Sequence, residues 1–460
     1  MKRVCLVVVA LSLVNMPANT AQASNQTWKI SKNQFTHNTA GYLSAQSILP
    51  GSSLQAFITC KASTFSIELF RMGFYNGDEA QSIWKSEALP CKTQNTPKFT
   101  NYKKAIEANW KPSLEIPTEK LTPGFYLAKI VASDNSASFI SLVIRSETTN
   151  NKVVMVMPTM TSLAYNNWAK YSAYTGPTGF TSRARLLSFN LPQHWGYGSG
   201  LYLYYVHPLL LVASQTGIDL AFVSDVDIAS DPTLLNGARA YVSPGHDEYW
   251  TSSERLNVIA ARDKGTNLLF MGANVAYWRV RLTKAARGEN PVMEIYKSSS
   301  ADPNKTEPTI RFRDVNLPES HLTGLEYKCF PAVGKMKIKD PTSWVFQGTG
   351  VSSTSEIDKV IGTEIDSLPR VNSFDGKITV LTESAVACGD QSKATHKVKT
   401  QMILGISPNG AGTFSVGTMN WVVHGLKSSA KKEIRDFAVQ VTSNVLIAAA
   451  QGPLGKYATN

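Results

Sequence analysis

The sequence predicts an α/β protein with an all-β N-terminal part: an antiparallel β-sandwich over residues 24–148, followed by an α/β domain over 149–460. The α/β domain is expected to hold a largely parallel sheet of the amidotransferase or Rossmann-like kind. Two observations predict this. Short alternating apolar segments separated by Gly, Pro and Asn occupy the first part, and continuous apolar strands flanking a helix signal occupy the second. The flat polar segment 146–151 lies between them as a linker.

Residues 1–23 have the features of a secretory signal. Lys2 and Arg3 precede an apolar run over 4–14, and Ala21-Gln22-Ala23 has the small-x-small pattern of a cleavage site. The run is too short for a membrane helix, which needs about 20 residues. We therefore expect cleavage near Ala23, export to the periplasm or the medium, and no membrane span.

Loss of this segment removes Cys5 and leaves an even number of cysteines: Cys60, Cys91, Cys329 and Cys388. An even number in an oxidising compartment predicts disulfides, although the four residues allow more than one pairing. We favour Cys60–Cys91 and Cys329–Cys388, because each pair keeps its loop inside one predicted domain.

Within the first part, four segments show the length and alternation of strands in a sandwich. They are residues 53–60, 64–70, 124–131 and 137–144.

The second part begins with a continuous apolar strand at 152–157 and contains three more, at 219–223, 238–242 and 267–271. A capping box at Thr251–Glu254 begins a helix between the last two strands, with Leu256, Ile259 and Ala260 on one face and Gly265 at its end. A strand, a helix and a strand in this order predict a parallel βαβ unit. Further on, 344–346, 378–381, 401–405 and 412–417 are strand-like, and 430–450 is a terminal helix.

Polar clusters follow three of these strands, at 224–227, 243–250 and 272–279. Ligands of open α/β sheets bind beyond the carboxyl ends of the strands, so we expect the clusters to share one site. The helix dipole explains an acidic Asp247 or Glu248 near a helix start, but it disfavours a cation there and leaves His246 unexplained. Asp227 is better explained as a cap of the next helix.

A net charge of +12 raises the question of nucleic-acid binding, but the basic residues are dispersed. A basic surface of this kind suits contact with an anionic envelope, and an oligomer is compatible with the sequence. There is no Gly-x-Ser-x-Gly, Walker or His-Glu-x-x-His motif, so a serine nucleophile has no support.

Several blocks resemble, in order, the large (β) subunit of N,N-dimethylformamidase and its relatives. One block, Arg71-Met-Gly73-Phe-Tyr75-Asn-Gly77-Asp78, lies in the sandwich. The core block combines Gly245 to Trp250 with Asn274 and Tyr277-Trp278-Arg279, and later blocks lie at 312–324 and at Asn420-Trp421.

The resemblance implies an amidohydrolase with a mononuclear ferric ion held by two tyrosines and a glutamate. By motif, the metal ligands are Glu248, Tyr165 and Tyr126, and His246 and Asn274 assist catalysis beside Glu248. Phenolate and carboxylate oxygens are hard donors that suit a ferric ion, which acts as a Lewis acid and generates hydroxide.

The chain departs from the family at residues 188–193, where Leu191 and Gln193 replace an arginine and a tyrosine that relatives often carry. The resulting expectation is an exported metal-dependent hydrolase of an amide or related C–N bond, acting on a small-molecule or peptide-like substrate.

Two other functions remain open. One is a non-enzymatic protein that binds a glycan or peptide in the same cleft through aromatics such as Trp195 and Tyr204. The other is a two-carboxylate glycosidase that uses Glu248 with Asp227 or Glu319.

Overall fold

The computed structural model describes residues 26–98, 105–284, 290–389 and 396–458. The predicted export signal therefore lies outside the described residues. Within those ranges, no helix is long and apolar enough to cross a membrane.

Two mainly antiparallel sheets form the N-terminal part. The smaller sheet has the order β1-β3-β7, with β1 (Ala40–Leu43), β3 (Gln55–Thr59) and β7 (Leu114–Glu115). The larger has the order β2-β9-β8-β4-β5, with β6 beside β4: β2 (Ser47–Ile48), β4 (Thr64–Met72), β5 (Ala80–Lys85), β6 (Leu89–Pro90), β8 (Gly124–Ala132) and β9 (Ala137–Ile144).

Side chains of both sheets share one apolar core, because alternate residues of each strand point to the same side. Ile58 of β3 and Ile67 of β4 lie in this core together with Tyr126, Ala128 and Ile130 of β8. The intervening residues of β8 are buried on the opposite face, against the rest of the chain. The boundary between residues 148 and 149 stays a prediction.

A nine-stranded sheet dominates the remainder, in the order β12-β10-β13-β15-β22-β21-β20-β18-β19. Its first five strands pair in parallel: β10 (Val153–Met157), β12 (Leu220–Ser224), β13 (Ala240–Ser243), β15 (Asn267–Phe270) and β22 (Gly412–Ser415). The other four are long and antiparallel: β18 (Glu326–Lys337), β19 (Glu356–Ser367), β20 (Lys377–Cys388) and β21 (His396–Ile406). The sheet is thus parallel only in one half, which corrects the expectation of a largely parallel sheet.

Helices cover both faces of the parallel half. Successive residues of β10 alternate between two cores: Val153 and Met155 pack with α2 and α6, and Val154 and Val156 pack with α3 and α4. Within the described ranges, the α-helices are α1 (Thr159–Ala164), α2 (His207–Gln215), α3 (Asp225–Ser230), α4 (Ser252–Asp263), α5 (Ser320–Thr323) and α6 (Lys432–Ala450). A separate four-stranded sheet joins β11 (Leu186–Ser188), β17 (Val292–Glu294), β16 (Trp278–Thr283) and β14 (Tyr249–Thr251).

The helix predicted after Thr251 is present as α4, and the Thr251 hydroxyl accepts the Glu254 N–H at 3.0 Å. Its predicted apolar face is wrong, because Leu256 is 60% exposed and the buried face instead carries Glu254 and Val258. The strand predicted at 344–346 is also wrong, since Trp344–Phe346 forms a 3₁₀ turn.

Both predicted disulfides are present. Cys60 pairs with Cys91 in the N-terminal part, and Cys329 pairs with Cys388, which joins β18 to β20. Each bond closes a loop and so restricts the unfolded chain.

Candidate functional site

The loops that follow β13 and β15 meet at one edge of the parallel strands. The Ala276 N–H donates to the Asp247 carbonyl and the Tyr277 N–H to the Glu248 carbonyl, both at 2.9 Å. Two of the three polar clusters therefore come together as the strand order predicts. The approach requires glycine, because a Cβ on Gly272 would lie 1.9 Å from the Gly245 carbonyl oxygen.

Glu248 is the centre of this edge. It is buried, and its carboxylate accepts the Tyr165 hydroxyl at 2.6 Å, with the Tyr174 hydroxyl oxygen 3.3 Å away. Burial raises the pKa of Glu248, although Lys297 and the phenols oppose the shift. The Thr161 hydroxyl of α1 accepts the Glu248 N–H at 2.9 Å, which fixes this loop against the helix that Tyr165 caps at its C-terminus.

A chain of phenols extends from Glu248 to a lysine. Tyr174 donates to Tyr165 at 2.9 Å, Tyr249 donates to Tyr174, and the Lys297 ammonium donates to Tyr249 at 2.7 Å. Lys297 also lies 3.6 Å from the centre of the Tyr174 ring. Burial lowers the pKa of Lys297 to about 7, against the raising effect of Glu248.

Asn274 links this cluster to two further acids, the partly buried Glu364 and the buried Asp366. Its side-chain amide donates to Glu364 at 2.7 Å and its backbone N–H donates to Asp366 at 2.8 Å. Asn274 has a φ of 58°, a left-handed conformation that asparagine tolerates better than most residues. Burial, and next the charge of Glu248, raises the pKa of Glu364 to about 8.

His246 lies on the other side of Glu248. Its Nε2 is 3.6 Å from the nearer Glu248 oxygen, beyond a good hydrogen bond. Burial lowers the pKa of His246 to about 3, so the imidazole is neutral. Two buried atoms here, His246 Nδ1 and Asn274 Oδ1, have no hydrogen-bond partner among the described residues. Unpaired buried polar atoms of this kind indicate a place for a ligand.

These groups form the base of a cavity of about 640 Å³. Aromatic side chains make most of its wall. They are Tyr165, Tyr174, Phe180, Trp195, Tyr204, Tyr205, Tyr277, Trp278, Tyr327 and Phe330. A mostly apolar cavity with a few convergent polar groups is the usual form of a small-molecule site.

The family model for the N,N-dimethylformamidase beta subunit-like C-terminal region matches residues 66–433. The chain belongs to this family. The match includes all of the cavity residues named above and most of the N-terminal strands. No curated protein matches the chain.

One residue expected from the family resemblance lies elsewhere. The Tyr126 side chain is in the N-terminal core, and its hydroxyl donates to the Thr122 carbonyl at 2.8 Å. It does not line the cavity around Glu248. Of the three expected ligands, Tyr165 and Glu248 are therefore together, whereas Tyr126 is held on another element; Tyr174 is the second phenol beside Glu248.

Asp227 and Glu319, the carboxylates of the alternative glycosidase function, also lie outside the cavity. The N-cap of α3 is Ser224 and not Asp227, which corrects the expected cap. Asp227 is the third residue of α3, where its carboxylate accepts the Ser224 N–H in a capping box and pairs with Arg145 at 3.2 Å. Glu319 pairs with Arg313 at 2.6 Å. The carboxyl that shares the cavity with Glu248 is Glu364.

The departures at Leu191 and Gln193 do not fall on the cavity wall. Leu191 is buried in an apolar cluster, and Gln193 faces the Ser162 hydroxyl at 3.5 Å. Neither lines the cavity.

Three site residues were not identified from the sequence: Tyr174, Lys297 and Glu364. Tyr174 had one local signal, since it lies in a tyrosine-rich segment close to Tyr165. Lys297 and Glu364 had none, because they reach the site from distant segments of irregular pattern.

Proposed function

We propose that this protein is a hydrolase of an amide or a related C–N bond, with its active site in the cavity around Glu248. The family supports amide hydrolysis. The observation that carries the proposal is the buried Glu248 carboxylate with the hydroxyls of Tyr165 and Tyr174 beside it, at the base of an apolar cavity.

The residues present fit a ferric ion. Glu248, Tyr165 and Tyr174 place three hard oxygen donors together, and the unpaired His246 Nδ1 and Asn274 Oδ1 leave room for further polar ligands. Among the described residues, no group of three or more His, Cys, Asp and Glu side chains could hold a metal, so a metal here requires the phenols. A bound ferric ion would polarise a carbonyl and lower the pKa of water.

The chain's own groups then handle the substrate and the protons. The aromatic wall holds the amide and keeps bulk solvent away from the reacting groups, apart from the water that attacks. His246, beside Glu248, relays a proton from the attacking water to the leaving nitrogen. Water adds to the carbonyl carbon, the C–N bond breaks, and an acid and an amine leave the cavity.

Export is part of the same proposal. The disulfides Cys60–Cys91 and Cys329–Cys388 suit an oxidising compartment, where such bonds persist. Fractionation of cells that express the full chain, with N-terminal sequencing of the exported form, tests cleavage near Ala23. A mature protein that keeps residues 1–23 and stays with the cytosol would contradict it.

The decisive experiment combines metal analysis with an amide assay on protein from the exported fraction. We expect about one iron per chain, a visible tyrosinate absorption, and release of amine from amides such as dimethylformamide. Glu248→Gln should lose iron, colour and activity, whereas exposed Glu87→Gln should keep all three. Amide cleavage by iron-free protein would contradict the proposed metal requirement and support the hydrolase function.

A non-enzymatic binding protein is the second candidate, favoured by the exposed rings of Trp195 and Tyr204 at the mouth of the cavity. Folded protein that cleaves none of the amides tested, but binds a glycan or peptide, would establish this reading instead.

A further inference from the structure

The cavity is much larger than the smallest amides. A small amide of about five non-hydrogen atoms needs roughly 150 Å³ if each atom takes up about as much room as a water molecule. The cavity offers about 640 Å³. Dimethylformamide, which the family name specifies, would therefore leave most of this volume unfilled.

The polar and apolar parts of the cavity are segregated. The polar groups lie together around Glu248, where the amide bond is expected. The mouth carries exposed aromatic rings instead: Phe180, Trp195, Tyr204 and Phe330 are 54%, 44%, 40% and 60% exposed. Aromatic faces stabilise a flat apolar or aromatic ligand by burial and by ring contacts.

A second groove continues from the cavity. It has a volume of about 550 Å³ and shares Phe330 and Thr363 with the cavity, and Val333, which is 54% exposed, lies along it. A ligand that passes Phe330 therefore meets another partly apolar surface and not open solvent.

The backbone beside the cavity is not free to bind a peptide as an added strand. β19 is the edge of its sheet, but its outer groups already have partners: the Gly362 N–H donates to the Thr418 hydroxyl and the Glu364 carbonyl accepts the Met419 N–H. The Lys359 carbonyl likewise accepts the Asn420 side chain at 3.2 Å. Strand addition, a common way to hold an extended peptide, is blocked here.

We infer that the substrate is an amide with a bulky aromatic group, long enough to pass Phe330 toward the second groove. This inference rests on the proposed hydrolase function and specifies its substrate class. The amide lies at Glu248, and the aromatic group lies among the rings at the mouth. Hydrolysis adds water across the C–N bond and releases the aromatic amine and a carboxylic acid.

The test uses N-acetyl-2-naphthylamine and dimethylformamide as probes on the full chain. Calorimetry on folded Glu248→Gln protein measures binding without turnover, and fluorescence of released naphthylamine measures cleavage by the unaltered protein. We expect the naphthyl amide to bind at least about 100-fold more tightly than dimethylformamide, because its ring buries far more apolar surface. Phe330→Ala should weaken its binding about tenfold.

Phe74→Ala is the matched control, because Phe74 is a 41% exposed phenylalanine that does not line the cavity. It should leave binding of the naphthyl amide unchanged. Equal or weaker binding of the naphthyl amide than of dimethylformamide would overturn the inference, as would preferential binding of a chitooligosaccharide or a peptide.

The two proposals fail in different ways. Tight binding of the naphthyl amide with no cleavage supports the ligand class and contradicts the hydrolase. Cleavage of dimethylformamide without binding of the naphthyl amide supports the hydrolase and overturns the aromatic substrate.

Discussion

Lys297 and Glu248 are joined through the hydroxyls of Tyr249, Tyr174 and Tyr165, which form a continuous chain between the cation and the carboxylate. The hydrogen bonds of this chain are partly buried, and hydrogen bonds shielded from water are electrostatically stronger than those in water. A substitution of Lys297 should therefore change the electrostatic environment of the Glu248 carboxylate.

Lys297→Met tests this coupling. The substitution removes the donor to Tyr249 and a positive charge that lowers the pKa of Glu248. We expect kcat/KM for amide hydrolysis to fall by about tenfold or more, with the tyrosinate absorption shifted and the iron content retained. Lys61→Met, at an exposed lysine, is the control. Unchanged kinetics and an unchanged spectrum would show that the chain of phenols has no role.

The tyrosine assignments are tested by a matched pair of variants. Tyr165→Phe removes the hydroxyl at 2.6 Å from Glu248 and should abolish iron binding and activity. Tyr126→Phe removes only the hydrogen bonds to Thr122, so it should reduce the free energy of unfolding by roughly 1–2 kcal/mol and keep iron and activity. Metal analysis, steady-state kinetics and denaturant unfolding separate the two effects. Loss of iron in Tyr126→Phe would instead support the assignment of Tyr126 as a metal ligand.

Deprotonation of Glu364 should cause kcat/KM to fall at alkaline pH. Burial and the neighbouring Glu248 charge raise the pKa of Glu364 to about 8, so the carboxyl is mostly protonated at neutral pH. Above that pH it becomes a second negative charge in the cavity, and we expect kcat/KM to fall. Glu364→Gln keeps a neutral side chain at every pH and should remove this fall. If kcat/KM of Glu364→Gln still falls at alkaline pH as in the unaltered protein, another group causes the fall.

Glu254 is buried in α4 and neither of its carboxyl oxygens has a partner among the described residues. Burial, together with Asp247 and Asp225, raises the pKa of Glu254 well above its usual value. A raised folded-state pKa stabilises the protein below the unfolded-state pKa, near 4.5, and this stabilisation is lost as the pH rises through the folded-state pKa.

Glu254→Gln removes that dependence. We expect it to raise the free energy of unfolding at pH 8 by about 1–3 kcal/mol and to have a much smaller effect at pH 4. Urea unfolding at the two pH values measures the difference, with Glu87→Gln as the exposed control. An equal change at both pH values would mean that Glu254 is not held protonated by burial.

Local patterns predicted the elements that depend on nearby residues. The parallel strands from β10 to β15, the start of α4 and the turn at Gly245 to Glu248 follow from continuous apolar runs, a capping threonine and a glycine. The convergence of His246, Glu248 and Asn274 also followed, because the ends of neighbouring parallel strands lie at one edge. In the antiparallel half of the sheet, the predicted strands at 378–381 and 401–405 lie within β20 and β21. β18 and β19 were missed, since they are bulged and their alternation is broken.

The sequence by itself determined the family and indicated the central carboxylate, because both depend on short motifs. It left more than one cysteine pairing open, and the structure decided for Cys60–Cys91 and Cys329–Cys388. Only the tertiary structure decided which side chains surround that carboxylate. It placed Tyr174, Lys297 and Glu364 at the cavity and held Tyr126 in a different core. The physical reason is that a polar site in a low-dielectric cavity is assembled from segments far apart in the chain, and their approach depends on packing that no local pattern records.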